Sequence, residues 1–492
     1  MKALLVYPEC PSTFWSFRWA LRFVLRKAAQ PPLGLLTVAA MLPREWDKRL
    51  VDMNVERLTD RDLAWADFVI VSAMSIQRDS AREVISRAKA AGVRVVAGGP
   101  LFTSEPENFS DVDHLVLNEA EATLPEFLAD LQRGEPKRVY THAEYLPLDR
   151  TPVPLWELVD QGKYSAMNVQ YSRGCPFDCE FCDIGALFGD KVRTKSKDQL
   201  LTELDALYHS GWRGPVFFVD DNFIGNRRKL KAEVLPALVA WSDRRKHPFE
   251  FETEVSVDMA DDDELMELML AAGFNSVFVG IETPNEESLR ECGKVQNLNR
   301  NLLAAVRHMH QVGFIVKAGF ILGFDHDPPT IFDQLSLFVQ TSGIATAMVG
   351  LLNVPRNTRL HRRLEREGRL LGDFAGDNTT SGTNFRPAIG SDRLAEGYRS
   401  VIRRIYSPRP YYERVRLFLK EYRLPRRRTR VSKRELFAFG GAVVRLGIVG
   451  RERWRFWHLF WWTLFRRPRL LPTAITLTIY GFHFRKYYAD CL

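Results

Sequence analysis

The sequence predicts an α/β protein built as a doubly wound parallel sheet, a partial parallel (β/α)6 barrel and a basic, aromatic-rich helical tail. Two stretches in which strand-type and helix-type periodicity alternate predict the sheets, one over residues 1–135 and one over 164–390. A change of composition predicts the tail, 391–492. The chain carries a net +8, yet residues 401–492 hold 22 Lys and Arg against five Asp and Glu, which leaves the first 400 residues at −9. The basic character therefore belongs to the tail. With 46% hydrophobic and 26% charged residues the chain is globular rather than disordered. Six cysteines in 492 residues exclude a disulfide scaffold and point to a reducing compartment.

In chain order, the first strands are expected at Ala3–Tyr7, Arg49–Met53, Phe68–Ser72, Val93–Ala97 and His114–Leu117, with a helix over Arg78–Ala91 stopped by Gly92. The opening run lacks a basic segment leading into a cleavable apolar one, so no signal peptide is expected. Ligands of such sheets gather at the carboxyl ends of the strands. Three of those ends stand out: Ser72 and Met74; Gly98, Gly99 and Pro100; and Asn118, Glu119 and Glu121. The paired glycines let the backbone approach a flat or phosphate-bearing group; ordinary turns are the alternative.

Pro136 to Pro154 is rich in proline and charge and opens the expected linker, 136–163. Barrel strands are expected at Met167–Ser172, Pro215–Asp220, Phe249–Val255, Ser276–Ile281, Ile315–Leu322 and Ala347–Leu352. Helices are expected between them at Lys197–His209, Asp262–Ala272, Arg300–Val312 and Thr330–Thr341. Six such units fall two short of a closed eightfold barrel, whose chemistry sits on loops at the carboxyl ends of the strands.

The most specific signal follows the first barrel strand: Gly174-Cys-Pro-Phe-Asp-Cys-Glu-Phe-Cys182, with Cys175, Cys179 and Cys182 spaced CxxxCxxC. Three thiolates on one short loop suit an iron–sulfur cluster with one iron left open. A zinc knuckle is the alternative, but it needs a fourth Cys or His, and none lies within twenty residues on either side.

The triplet, with Phe181 before its last cysteine, resembles the signature of the radical S-adenosylmethionine (SAM) superfamily. The resemblance implies a 4Fe–4S cluster on Cys175, Cys179 and Cys182 that chelates SAM and cleaves it to a 5′-deoxyadenosyl radical. It also implies SAM contacts at Phe181 and at the strand ends. There Asp220, Asp221 and Asn222 replace the family's usual Gly-Gly-Glu, Glu254 and Ser256 suit the ribose, and Gly280, Glu282 and Gly319 suit the adenine.

The domain that precedes the barrel resembles the Rossmann-like module of the cobalamin-binding subclass, through Pro31-Pro-Leu-Gly-Leu-Leu36, Gly98-Gly-Pro100 and Asn118-Glu-Ala-Glu121. That resemblance implies cobalamin on Ser72, Met74, Gly98, Gly99, Pro100, Asn118, Glu119 and Glu121. The Asp-x-His-x-x-Gly motif is absent, so corrin binding without a histidine lower ligand is expected; loss of cobalamin binding is the competing reading. Tyr171-Ser-Arg-Gly-Cys-Pro-Phe, Phe218-Val-Asp-Asp-Asn-Phe-Ile-Gly225 and Met348-Val-Gly-Leu-Leu352 resemble the hopanoid C-2 methylase family. The implied activity is methylation of an unactivated sp3 carbon of a hopanoid-like membrane lipid, with flavodoxin or ferredoxin as electron donor. A cyclase or rearrangement enzyme, and a non-catalytic cofactor-binding sensor, remain as alternatives.

In the tail, Arg423 to Arg434 is a basic run, and Trp454, Trp457, Trp461 and Phe465 fall on one helical face flanked by Arg451, Arg453, Arg466 and Arg467. That pattern suits a helix lying at a bilayer surface, placing the protein on the inner face of the membrane. A helical cap on the barrel is the alternative. Nucleic-acid binding is not expected, because the aromatics form one apolar block. Leu470 to Phe484 is too short to span a bilayer and contains Pro472. On this reading, removal of the residues after about 405 yields a soluble protein.

Overall fold

The computed structural model describes residues 1–379, 382–424 and 433–491. The first sheet comprises β1 (Lys2–Tyr7), β2 (Asp47–Asp52), β3 (Phe68–Ser72), β4 (Arg94–Gly98), β5 (His114–Val116) and β6 (Val139–Tyr140), all parallel, in the order β2-β1-β3-β4-β5-β6. Strand alternation splits its faces between two cores: Ala3 and Leu5 enter a cluster continuous with the barrel, while Leu4 and Val6 enter a separate one. β6 lies inside the expected linker, so the first sheet runs on to Tyr140.

The second sheet is the partial barrel: β7 (Met167–Val169), β10 (Gly214–Phe218), β11 (Phe249–Val255), β12 (Phe274–Glu282), β13 (Ile315–Leu322) and β14 (Ala347–Leu351), parallel and in sequential order. β11 reads Phe-Glu-Phe-Glu-Thr-Glu-Val, and its period of two sets its two faces. Phe249 packs against Trp241 of the helix Leu235–Arg244, while Glu252 turns inward to meet Lys317 of β13 at 2.5 Å. The expected first barrel strand, Met167–Ser172, is broken. After Val169 the chain leaves the sheet, and β8 (Ser172–Arg173) pairs antiparallel with β9 (Arg193–Thr194). The cysteine loop is the connection of that small hairpin.

The tail differs most from expectation. Helices Ser391–Tyr406, Pro408–Glu421 and Leu471–Cys491 pack on the barrel helices and the N-terminal segment, and Arg453–Arg466 packs on Pro408–Glu421 and Leu471–Cys491. The segment read as too short to span, Leu470 to Phe484, lies almost wholly in this last helix, with Pro472 in its first turn. Among the described residues no helix is long and apolar enough to cross a membrane. Phe484 stacks on Phe14 at 4.3 Å, and Trp15 then reaches Phe278 of β12 (5.3 Å) and donates its Nε1–H to the Met348 sulfur of β14 (2.9 Å). Chain from both ends thus packs against β12 and β14. The basic run Arg423–Arg434 lies largely outside the described residues.

Candidate active site

The cysteine loop is rooted from below by the end of β10. Asp220 accepts hydrogen bonds from the Ser172 N–H, the Ser172 hydroxyl and the Tyr171 N–H. Asp221 accepts from Gly174 N–H at 2.9 Å. Gly174 sits at φ +87, and a Cβ there would lie 2.6 Å from the Lys191 carbonyl oxygen, so the turn into Cys175 requires glycine. The third residue, Asn222, exchanges bonds with Ser256: its Nδ2 donates to Oγ and its Oδ1 accepts from the backbone N–H, both at 3.2 Å. Expected to hold SAM as a set, the three residues divide their work. Asp220 braces the strand, Asn222 locks β10 to the end of β11, and Asp221 keeps one carboxylate oxygen for a ligand.

Cys175 and Cys182 are half-buried and Cys179 is buried. Burial pushes all three thiols up, so deprotonation must accompany metal binding. Among the described residues no group of three His, Cys, Asp or Glu is gathered closely enough for a single metal ion.

One residue unmarked by the sequence joins them. Burial alone would strip the proton from Lys294, but Glu282 and the neighbouring thiols override that and hold it charged. Its Nζ lies 2.7 Å from Glu282 Oε1, and its charge reaches all three cysteines. Glu282 adopts φ +62, a left-handed conformation rare for such a residue. A Cβ at Gly280 would fall 2.3 Å from that carboxylate and 2.7 Å from the ammonium, so Gly280 makes room for the pair. At Gly319 a Cβ would strike the Phe278 ring. Phe181 packs on Phe324.

Burial, with Asp221 and Glu252 beside it, pushes Glu254 up to about 8, and burial raises Asp221 to about 6. Lys294 faces Glu254 and Glu282, and Arg173 faces Asp221. Carboxylates that burial holds up favour a ligand that brings its own positive charge, as SAM does with its ammonium and sulfonium.

The cobalamin-side candidates assemble at the other sheet. Gly98 and Gly99 end β4; a Cβ on Gly98 would sit 2.5 Å from the Val116 carbonyl oxygen, and one on Gly99, at φ +89, 2.5 Å from Ser72 Oγ. Pro100 opens a single helical turn, and Met74 is exposed beside Ser72. Close packing at the ends of β3 and β4 thus requires glycine at both positions. Asn118, at φ +61, accepts a bond from the Thr141 hydroxyl at 2.7 Å. The carboxylates of Glu119 and Glu121 are buried against Arg173 and Arg193, which flank the cysteine loop.

Comparison with known proteins agrees with this arrangement. Residues 169–336 match the radical SAM superfamily, 24–128 the B12 binding domain, and 358–492 a domain of unknown function. An uncharacterised methyltransferase of Synechocystis sp. is 43% identical over 99% of this chain and 92% of its own length. The hopanoid C-2 methylase of Rhodopseudomonas palustris is 36% identical over 93% of this chain and 88% of its own. The chain belongs to the cobalamin-binding radical SAM family.

This radical SAM enzyme shares its fold with OxsB, a cobalamin-dependent SAM radical enzyme solved with aqua-cobalamin and SAM bound. The TM-score is 0.62 at 16% identity, covering 99% of this chain and 80% of that one. The radical SAM methyltransferase TsrM from Kitasatospora setae gives 0.58 at 16%, covering 74% and 76%. The radical SAM enzyme described here is a cobalamin-dependent methyltransferase, and its two domains imply a 4Fe–4S cluster, SAM and cobalamin. The cyclase and sensor alternatives are not favoured, since the two relatives above, more than 30% identical over nearly the whole chain, are named as a methyltransferase and a methylase. Sequence reasoning missed Lys294, Arg173 and Arg193. The only local signal was an arginine directly before Gly174-Cys175.

Proposed function

We propose that the enzyme methylates an unactivated sp3 carbon of a hopanoid-like polycyclic lipid collected at the inner membrane surface. The observation that carries this reading is the aromatic face of the helix Arg453–Arg466, where Trp454 and Phe465 are each 77% exposed and Trp461 48%. The opposite face, with Phe456, Leu459 and Thr463, is buried in the protein. Val444, Ile448 and Val449 continue the exposed apolar surface, and Arg451, Arg453 and Arg466 lie exposed along it. Indole rings bordered by arginines match the interface of an anionic bilayer. Arg467 instead caps the helix Pro408–Glu421, donating to the Lys420 and Tyr422 carbonyls. The 36% identical hopanoid C-2 methylase supports the substrate class.

The cofactors, when bound, supply a carbon-centred radical and a methyl donor. The chain holds the cluster on Cys175, Cys179 and Cys182, and orients SAM with Asp221, Glu254, Ser256 and Glu282. Ser72, Met74, Gly98, Gly99, Pro100 and Asn118 receive the corrin. No histidine ligates its cobalt: His114, the one histidine in residues 1–135, begins β5 and sits on the Lys137 carbonyl at 2.7 Å, away from the strand ends that receive ligands. Nitrogen superhyperfine splitting in cob(II)alamin that changes when the protein's histidines carry 15N would contradict that assignment. Electrons come from a flavodoxin or ferredoxin.

The test is anaerobic incubation of the reconstituted enzyme with deuteromethyl-SAM and hopanoid-containing vesicles. A hopanoid heavier by one labelled methyl group supports the reading. Label appearing only in a water-soluble product overturns it.

A further inference from the structure

Four charged side chains join the cobalamin side to the cluster side. Glu119 caps the amino end of the helix Ala120–Arg133, and Glu121 lies in its first turn. Arg173 ends β8, one residue before Gly174-Cys175, and Arg193 stands opposite it on β9. The Arg173 guanidinium donates to Glu119 (3.1 Å), to both oxygens of Glu121 (2.7 and 3.1 Å) and to Gln170 (2.8 Å). Arg193 forks onto both oxygens of Glu119 at 2.8 Å. Thr151 donates to Glu121 at 2.8 Å. All four charged side chains are nearly buried, and their charges cancel.

Adhesion does not require them. One hydrophobic cluster already runs from Ala3 and Leu5 through Met167 and Val169 into the barrel. Buried ion networks give little net stability compared with apolar packing, but the fork of a guanidinium fixes direction. The backbone on either side of Arg173 is held to the barrel, Ser172 by Asp220 and Gly174 by Asp221. Its side chain is held by the cobalamin domain. Nothing else about this residue serves the cluster directly.

We propose that Arg173 is a positioning residue that sets the cluster loop against the cobalamin domain, so that methyl delivery depends on it more than SAM cleavage does. SAM cleavage needs only the loop and the barrel. Methyl movement between SAM and cobalt also needs the corrin at a fixed distance, and a displacement on the order of 1 Å costs up to ~100-fold in rate. The proposal rests on the cofactor set and holds whatever the lipid.

The experiment uses full-length enzyme reconstituted with cluster and cobalamin, as wild type, Arg173→Lys and Glu121→Gln. With SAM and a chemical reductant, 5′-deoxyadenosine and S-adenosylhomocysteine are counted together; the second forms when cobalamin takes the methyl group from SAM. Both variants are expected to keep wild-type iron and cobalamin contents and to raise the ratio of 5′-deoxyadenosine to S-adenosylhomocysteine about tenfold or more, within the range a small misplacement causes. The magnetic coupling between the reduced cluster and cob(II)alamin, read by electron paramagnetic resonance, should change in both. An unchanged ratio with unchanged coupling overturns the proposal. Equal loss of both products with loss of iron also overturns it, because that is the signature of a purely structural role.

Discussion

Gly174, Gly99 and Glu121 each answer to one atom-level constraint, and each constraint predicts a result. Gly174→Ala places a methyl group 2.6 Å from the Lys191 carbonyl at φ +87, so the turn into Cys175 must shift. Strain of about 1–3 kcal/mol is expected there, and iron per chain after reconstitution should fall well below wild type. Gly99→Ala, crowding Ser72 Oγ at 2.5 Å, should weaken cobalamin binding while leaving iron content intact. Burial alone would raise the Glu121 carboxyl, but Arg173 overrides it and holds the group at about 2. A depressed acid contributes stability above its ordinary value of 4.5 and loses it as pH falls towards 2. Glu121→Gln should therefore remove an acid limb of about 3 kcal/mol from the stability profile, measured by denaturant titration from pH 6 to pH 3 or below, near the limit of that window. At this scale the cysteines were legible because ligand spacing on one loop is local. Lys294 was not, because its role depends on Glu282 and on a loop far along the chain.

The helix Arg453–Arg466 divides its aromatics between two environments. Trp454 and Phe465 face outward, so charging them should leave thermal stability almost unchanged, as for other exposed sites at about ±0.5 kcal/mol. Trp454→Glu with Phe465→Glu should nevertheless abolish sedimentation with phosphatidylglycerol vesicles. Phe456→Ala, on the buried face, should cost about 3–5 kcal/mol. The sequence placed Trp454, Trp457, Trp461 and Phe465 on one face correctly, because helical period is a local property. It did not reveal that the other face is committed to protein. The buried face packs on other tail helices, and the exposed face is the one on which the proposed membrane contact rests. Similarly, the period-two pattern of Phe249–Val255 marked a strand but not the meeting of Glu252 with Lys317 two strands away.

For the molecule as a whole, the last helix alters what truncation means. Tyr411 donates to the Leu477 carbonyl at 2.6 Å, Tyr406 to the Ala347 carbonyl at 2.6 Å, and Tyr487 meets the Thr379 hydroxyl at 2.5 Å. Phe484, Tyr487 and Tyr488 are buried. A fully buried side chain of this size contributes about 2 kcal/mol, so losing several exceeds the ~5–15 kcal/mol that holds a domain folded. Removal of the residues after about 405 should give aggregated protein, checked by size-exclusion chromatography, rather than the soluble enzyme that composition suggested.

The sequence by itself determined the two parallel sheets, the spacing of the cysteine triplet, the family resemblance and the charge split between body and tail. All are set by local periodicity, by spacing within one loop or by counting. The tertiary structure alone decided that Asp220 braces the backbone at Tyr171 and Ser172, that Glu119 and Glu121 grip Arg173 and Arg193, and that the chain's two ends meet against the barrel strands. Each of those depends on partners tens to hundreds of residues apart, such as Phe14 and Phe484, which only the closed fold brings within reach.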